Sequence, residues 1–254
     1  FAVDPLQGVF YPLKWLYFWL PGYLATDAHV AVHFGVAATG ATLLARTFGL
    51  GRIPALLFGL AYLFSGTMID LAKHSIYLIG GAWLPWAWAQ ARVCLLRPTR
   101  RSAAALAVSL GLMLLGGDAF TWAWGFLITA GEALLHLARG RNRSRALWVL
   151  VLAVASGLIG LVVWWPGWIE LASSGRHDGL SLQSALRWSW NPKDLLAVVL
   201  PGIFKRGSLL GGSIWSLLNH NEGSFPWNES PFLGWTAAVG GAGALMAMAV
   251  AKTV

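Results

Sequence analysis

Long apolar runs alternate with short polar loops along most of this chain. A helix that crosses the hydrocarbon core of a membrane needs about 20 apolar residues, and most of the runs approach that length. The pattern predicts an all-α fold: a polytopic transmembrane helical bundle of about seven spans, at 28–45, 53–69, 76–96, 102–116, 119–138, 146–165 and 232–250.

Two other segments differ from ordinary spans. Residues 10–24 are apolar and aromatic but include Pro12, Lys14 and Pro21, which favours an interfacial or re-entrant helix. Residues 166–231 form the longest polar stretch and are predicted to lie outside the membrane. We therefore expect one transmembrane domain, 1–254, with a six-span core at 28–165.

The charges separate by sign between the loops. Three loops carry only arginines, whereas the other loops carry nine of the ten acids. Basic residues near span ends stay on the cytoplasmic side during insertion. We expect a multi-pass protein of the bacterial inner (cytoplasmic) membrane, with its acidic loops and any chemistry on the outer side. The cytoplasmic residues would be Arg46, Arg52, Arg97, Arg100, Arg101, Arg139, Arg141, Arg143 and Arg145.

Composition supports this interpretation. Hydrophobic residues make up 57% of the chain and charged residues 11%, against about 25% charged in a soluble domain. The net charge of +8 argues little for nucleic acid, because the positive charge lies in short loops between apolar runs. We expect membrane lipid to be the partner. The single cysteine, Cys94, excludes an internal disulfide.

The strongest candidate for outward chemistry is the group Asp70, Lys73 and His74. A helical turn would place Asp70 and His74 on one face, since they are four residues apart. A carboxylate, an ammonium and an imidazole together can bind a phosphate, relay a proton or bind a metal. The alternative is a solvated loop between two helices.

Asp118 follows two glycines at another outward turn. It is a candidate base or ligand of a divalent metal, the one cofactor the sequence leaves open. It is also suited to cap the helix that begins near Ala119, and capping is the favoured interpretation.

Two pairs of ionisable residues lie within the runs at a spacing of four. His29 and His33 share a helix face and suit packing between helices better than metal binding. Glu132 and His136 lie towards the inner half of 119–138. A carboxylate inside a membrane is a functional candidate by default, but a salt bridge from Glu132 to Arg139, or snorkelling to the inner interface, is at least as favoured here.

The long outer region contains basic groups interleaved with Trp188 and Trp190. Arginine pairs with phosphate and tryptophan stacks on sugar rings, so the region suits a lipid-linked sugar phosphate. An interfacial belt beside lipid headgroups is the alternative. The candidate phosphate ligands are Arg176, Arg187 and Lys193.

Several stretches in order resemble the bacterial YfhO-like membrane proteins, which belong with the GT-C type of lipid-dependent glycosyltransferases. They are VDPLQGVFYPLKWLYFWLP, LARTFGLGRIPALLFGLAYLFSGTMIDLAKHSIYLIGGAWLPWAWA, GLSLQSALRWSWNPKDLLAVVLPGIF and PFLGWTAAV. The resemblance implies a multi-helix enzyme that transfers a sugar from a polyprenyl-phosphate donor at the outer leaflet. It carries over to His74 and, less firmly, to Asp4 as base.

The chain departs from the family in two respects. The first span and most of the first outer loop, which usually supply an acidic base or metal partner, would precede Phe1, so we expect a fragment. At Gly116-Gly117-Asp118 the family more often resembles Gly-His-Pro, which weakens a catalytic role for Asp118. Two other hypotheses follow: an accessory subunit of a larger membrane complex with other membrane subunits as partners, and, third, a transporter.

Overall fold

A computed structural model describes residues 8–173, and every regular element in that range is helical. A 3-10 turn, Pro12–Trp15, precedes the first α-helix. The described residues fall into two compact units, one formed by Phe64–Lys73 and the other by the remainder. The helices are α1 Leu16–Trp19, α2 Gly22–Thr47, α3 Arg52–Leu63, α4 Gly66–Leu71, α5 Ser75–Leu96, α6 Arg100–Leu115, α7 Ala119–Ala138 and α8 Arg143–Ser173.

The prediction of about seven spans is wrong. Within residues 8–173, only α2 and the Arg143–Val162 part of α8 are long and apolar enough to cross a membrane. Helices α3 and α6 have 12 and 16 residues; at about 1.5 Å per residue both are shorter than the roughly 30 Å hydrocarbon core. Helices α5 and α7 have 22 and 20 residues, but neither is apolar enough over a membrane-spanning length. The predicted span at 232–250 lies outside the described residues.

Three helices of the larger unit run in the same direction. Lys14, just before α1, contacts Ser75 at the start of α5, and Arg92 near the end of α5 contacts Thr47 at the end of α2. Gly80 of α5 packs against Asp118 at the start of α7, and Arg92 pairs with Glu132 further along α7. The amino ends of α2, α5 and α7 therefore gather at one end, here called the Asp118 end.

The opposite end carries the three arginine-bearing connections and is here called the arginine end. Arg145, at the start of α8, donates from Nη1 to the carbonyl of Leu96 at the end of α5, at 2.8 Å. The short connections between α5, α6, α7 and α8 make neighbours antiparallel, so all nine loop arginines lie at this end. The arginines that the sequence places in three separate loops therefore share one end of one helical unit.

Small residues allow the helices to approach closely, and α5 lies at the centre. Gly40 of α2 leaves space for the Trp86 indole, whose Nε1 donates to the Val36 carbonyl at 2.8 Å. Ala87 and Ala91 of α5 are fully buried against Leu106 of α6. Small residues at helix contacts bring backbones together where the surroundings provide little hydrophobic driving force.

The outer surface of the larger unit is apolar. Leu56 of α3, Phe120 of α7 and Ile159 of α8 are all more than half exposed. Before α2, Phe18 and Trp19 are 81% and 83% exposed. Large contiguous apolar surfaces are uncommon on soluble monomers and mark contact with lipid or protein.

The single helix expected over 10–24 is replaced by three elements. A 3-10 turn, Pro12–Trp15, is followed by α1, and α2 begins at Gly22.

Gly80 provides a test of this packing. A Cβ at Gly80 would collide with Asp118 Oδ2 and lie 2.6 Å from Thr121 Cβ. Gly80→Ala should therefore lower the free energy of unfolding by about 1–3 kcal/mol, the usual cost of overpacking. Gly131→Ala is the matched control, since a Cβ there meets nothing within 4 Å. Thermal unfolding in detergent should show a loss for position 80 only; equal effects would contradict the packing.

Candidate functional site at the Asp118 end

A chain of hydrogen bonds links three elements at the Asp118 end. Trp83 Nε1 of α5 donates to the Tyr11 hydroxyl at 2.9 Å, and that hydroxyl lies 2.6 Å from His33 Nε2 of α2. His33 Nδ1 lies 2.6 Å from the His29 carbonyl, which can only accept. The neutral imidazole thus carries its proton on Nδ1 and accepts from Tyr11. Burial raises the pKa of Tyr11 to about 12, although donation from Trp83 partly opposes this.

His29 is the member of this group with capacity left for a ligand. Its ring lies 4.1 Å from that of His33, centroid to centroid, and the residue is 1% exposed. Neither ring nitrogen makes a hydrogen bond of ordinary length and angle, although the Ser75 backbone is close enough to interact electrostatically. A buried imidazole without a hydrogen bond is costly, so His29 is a candidate proton acceptor or donor.

Lys14 places a positive charge beside the histidines. Its Nζ donates to Ser75 Oγ at 2.9 Å and lies 5.9 Å from the centre of the Tyr17 ring. Burial lowers the pKa of Lys14, because the ammonium loses hydration. Sequence reasoning did not assign Lys14 or Tyr11 to the site; a lysine inside an apolar aromatic segment was the signal that could have identified it.

Asp118 caps α7, which confirms the favoured interpretation of the sequence. Its carboxylate accepts from the Thr121 backbone N–H at 3.0 Å and also from the Thr121 hydroxyl. The residue is 1% exposed, and burial raises its pKa despite these hydrogen bonds. No group of three or more His, Cys, Asp or Glu suited to a metal ion occurs within residues 8–173.

The buried carboxyl of Asp118 should make stability depend on pH. Its folded-state pKa lies above the ordinary value of 3.8, so its stabilising contribution is complete below that pH and is lost as pH rises through the folded-state pKa. Asp118→Asn should therefore gain stability relative to the wild type as pH rises from about 4 to about 8. Melting temperatures in detergent measure the difference. Asp27→Asn, at an exposed position, should show the same dependence of melting temperature on pH as the wild type. If the curve for Asp118→Asn also runs parallel to that of the wild type, the prediction is wrong.

Asp70 and His74 do not share a continuous helix. Helix α4 ends at Leu71 and α5 begins at Ser75, with His74 as its N-cap residue. Asp70 Oδ1 lies 2.8 Å from Lys73 Nζ, an ion pair within the smaller unit. The His74 ring lies 6.1 Å from the Tyr77 ring in an edge-to-face arrangement. Where a solvated loop was the alternative, the chain forms a short helix, α4, followed by a turn.

The remaining predicted residues have different outcomes. Glu132 pairs with Arg92 rather than with Arg139, so that prediction is wrong. This pair lies at the arginine end, away from His29 and His33. Asp4, Arg176, Arg187 and Lys193 lie outside the described residues.

An apolar groove of about 410 Å³ lies between α7 and α8. Trp122 and Phe126 of α7 line it together with Leu158 and Leu161 of α8. None of the described lining residues is an acid or a base, so the groove suits an apolar chain and has no group for acid–base chemistry.

Comparisons with known proteins place no constraint on these assignments: no protein-family model, no curated protein and no solved structure matches the chain.

Proposed function

We propose that the chain is a membrane glycosyltransferase-like protein that acts on a polyprenyl-phosphate-linked sugar at the extracytoplasmic face of the bacterial cytoplasmic membrane. The observation that carries the proposal is the gathering of Lys14, His29 and His33 at the end of the helical unit opposite the arginines. The likeness to the YfhO-like proteins supplies the reaction class. Two helices long and apolar enough to cross a membrane, together with the apolar outer surface, support the location.

In this proposal, the cationic and imidazole groups of the larger unit stabilise the departing lipid phosphate. Lys14 supplies an ammonium that is half-buried and therefore only weakly screened by water. His74, at the amino end of α5, adds a hydrogen-bond donor beside the positive pole of the helix dipole, which favours anions. Asp4 is the proposed base that deprotonates the acceptor.

The experiment measures sugar transfer from a polyprenyl-phosphate donor in membranes that contain the full chain. His74→Ala and Lys14→Met should each lower the transfer rate about 100-fold or more, the usual cost of removing one group that stabilises developing negative charge. Arg141→Met is the matched control, since it removes one positive charge at the arginine end. Transfer that is unchanged in both site variants at normal abundance would refute the mechanism.

An accessory role is the second candidate function, favoured by the exposed aromatic side chains of Trp15, Phe18 and Trp19. Such rings, protruding from one segment, suit contact with another membrane subunit. Purification in mild detergent distinguishes the candidates. Stoichiometric protein partners without a bound polyprenyl lipid would favour the accessory role.

A further inference from the structure

A small polar pocket lies at the arginine end, between the carboxyl ends of α5 and α7. Its volume is about 40 Å³, larger than the roughly 10–15 Å³ that one water requires. It is open to the surface, so a phosphate group can reach it. Its polar lining consists of Arg92, Glu132, His136, Arg139 and Arg141.

The charges around this pocket do not cancel. Arg92 Nη1 is paired with Glu132 Oε1 at 2.8 Å, and Trp88 Nε1 also donates to that oxygen at 2.9 Å. In the part of the chain that the structure describes, Arg139 and Arg141 have no carboxylate partner. The pocket therefore carries a surplus of two positive charges.

His136 provides an independent indication of a ligand. It is 8% exposed, and its Nε2 is buried with no hydrogen-bond partner. A buried polar atom without a partner is uncommon and costs about 1–3 kcal/mol. A phosphate oxygen in the pocket would supply the missing acceptor.

The helix dipoles oppose an anion here but are too weak to exclude it. The carboxyl ends of α5 and α7 each contribute about half a negative charge. Arg145 donates to the Leu95 and Leu96 carbonyls, and the Arg141 N–H donates to the His136 carbonyl, so these ends are already partly satisfied. The positive charges of the two unpaired guanidinium groups therefore outweigh the negative helix ends, and the pocket favours an anion.

We propose that this pocket binds the phosphate of an anionic membrane lipid. The neighbouring Leu96 and Leu135 are 41% and 52% exposed, so an apolar surface suited to lipid adjoins the positive pocket. Basic pockets between helices on the cytoplasmic side bind anionic headgroups in membrane proteins. The inference relies on the proposed membrane location and is independent of sugar transfer.

The test titrates the purified full chain in neutral detergent with a short-chain phosphatidylglycerol, with the matching phosphatidylcholine, and separately with inorganic phosphate. Melting temperature is the readout, since a ligand that binds only the folded chain raises it. Arg139→Gln/Arg141→Gln should weaken binding of phosphatidylglycerol about 25-fold, given roughly 1 kcal/mol per basic residue near the headgroup. Arg100→Gln/Arg101→Gln is the control, with the same loss of charge at the same end but outside the pocket.

A rise in melting temperature with phosphatidylglycerol alone, lost in the pocket variant and kept in the control, supports the lipid site. An equal rise with inorganic phosphate would overturn the lipid assignment in favour of a free-phosphate site. Equal rises in melting temperature for the two double variants, or no rise with either phosphate compound, would overturn the proposal that this pocket binds a phosphate. Sugar transfer in the pocket variant should stay near wild type, so failure here is distinguishable from failure of the proposed function.

Discussion

Glu132→Ala is expected to lower the free energy of unfolding by about 3 kcal/mol, because it leaves the Arg92 guanidinium charged and largely buried. Both side chains of the ion pair are about one-fifth exposed. Arg92 also donates from Nε to Thr47 Oγ at 3.1 Å and lies 3.8 Å above the Phe48 ring. One guanidinium group thus joins α2, α5 and α7, and removal of its counter-ion affects all three helices.

Matched variants separate charge from packing. Glu132→Gln keeps an oxygen acceptor for Trp88 and should cost about half as much as the alanine variant. Arg92→Met combined with Glu132→Leu should recover most of the stability, because apolar residues of similar volume often replace a buried ion pair at little cost. Asp27→Ala, at an exposed position, should stay within about 0.5 kcal/mol of wild type. A similarly small change for Glu132→Ala would show that the pair does not connect the helices.

Helix positions could be predicted from the sequence where a cap defines the boundary. The expected 119–138 coincides with α7, since Asp118 caps its start and Gly140, with a φ of 64°, follows its end. The prediction of one helix over 53–69 is wrong, because α3 ends at Leu63 and Ser65 caps the separate helix α4. An apolar run continues through that break, so hydrophobicity alone does not show it.

The number of spans could not be read from run length. A run records where apolar residues outnumber polar ones, whereas crossing a membrane requires sufficient length and few charges together. Arg92 and Glu132 pair across two helices, and because they are 40 positions apart no local pattern shows this pairing.

The candidate site was only partly predictable for the same reason. His29 and His33 appear in the sequence as a pair because a helix repeats every 3.6 residues. Tyr11 bonds to His33 across 22 residues of the chain, and Trp83 bonds to Tyr11 across 72. Such contacts depend on how the helices pack, and that information is not local. The hydrogen bond from Lys14 to Ser75 is also a long-range contact, across 61 residues.

The two ends of the helical unit should be labelled from opposite sides of the membrane. The single cysteine, Cys94, is buried in the core, so Cys94→Ala gives a background without reactive thiols. In that background, Phe10→Cys lies near the Asp118 end and Arg141→Cys lies at the arginine end, both at exposed positions. An impermeant maleimide applied to intact spheroplasts should label position 10 fully and position 141 only after the membrane is opened.

We expect an all-or-none difference in labelling between positions 10 and 141, because placing one arginine at the centre of a membrane costs about 2.5–3.5 kcal/mol of free energy. Nine arginines at one end therefore prevent the helical unit from inverting once it is inserted. Labelling of both variants in detergent is the control for thiol reactivity and should be equal. Labelling of position 141 in intact spheroplasts would place the arginines outside, and His29, His33 and Lys14 could then not meet a donor on the outer leaflet.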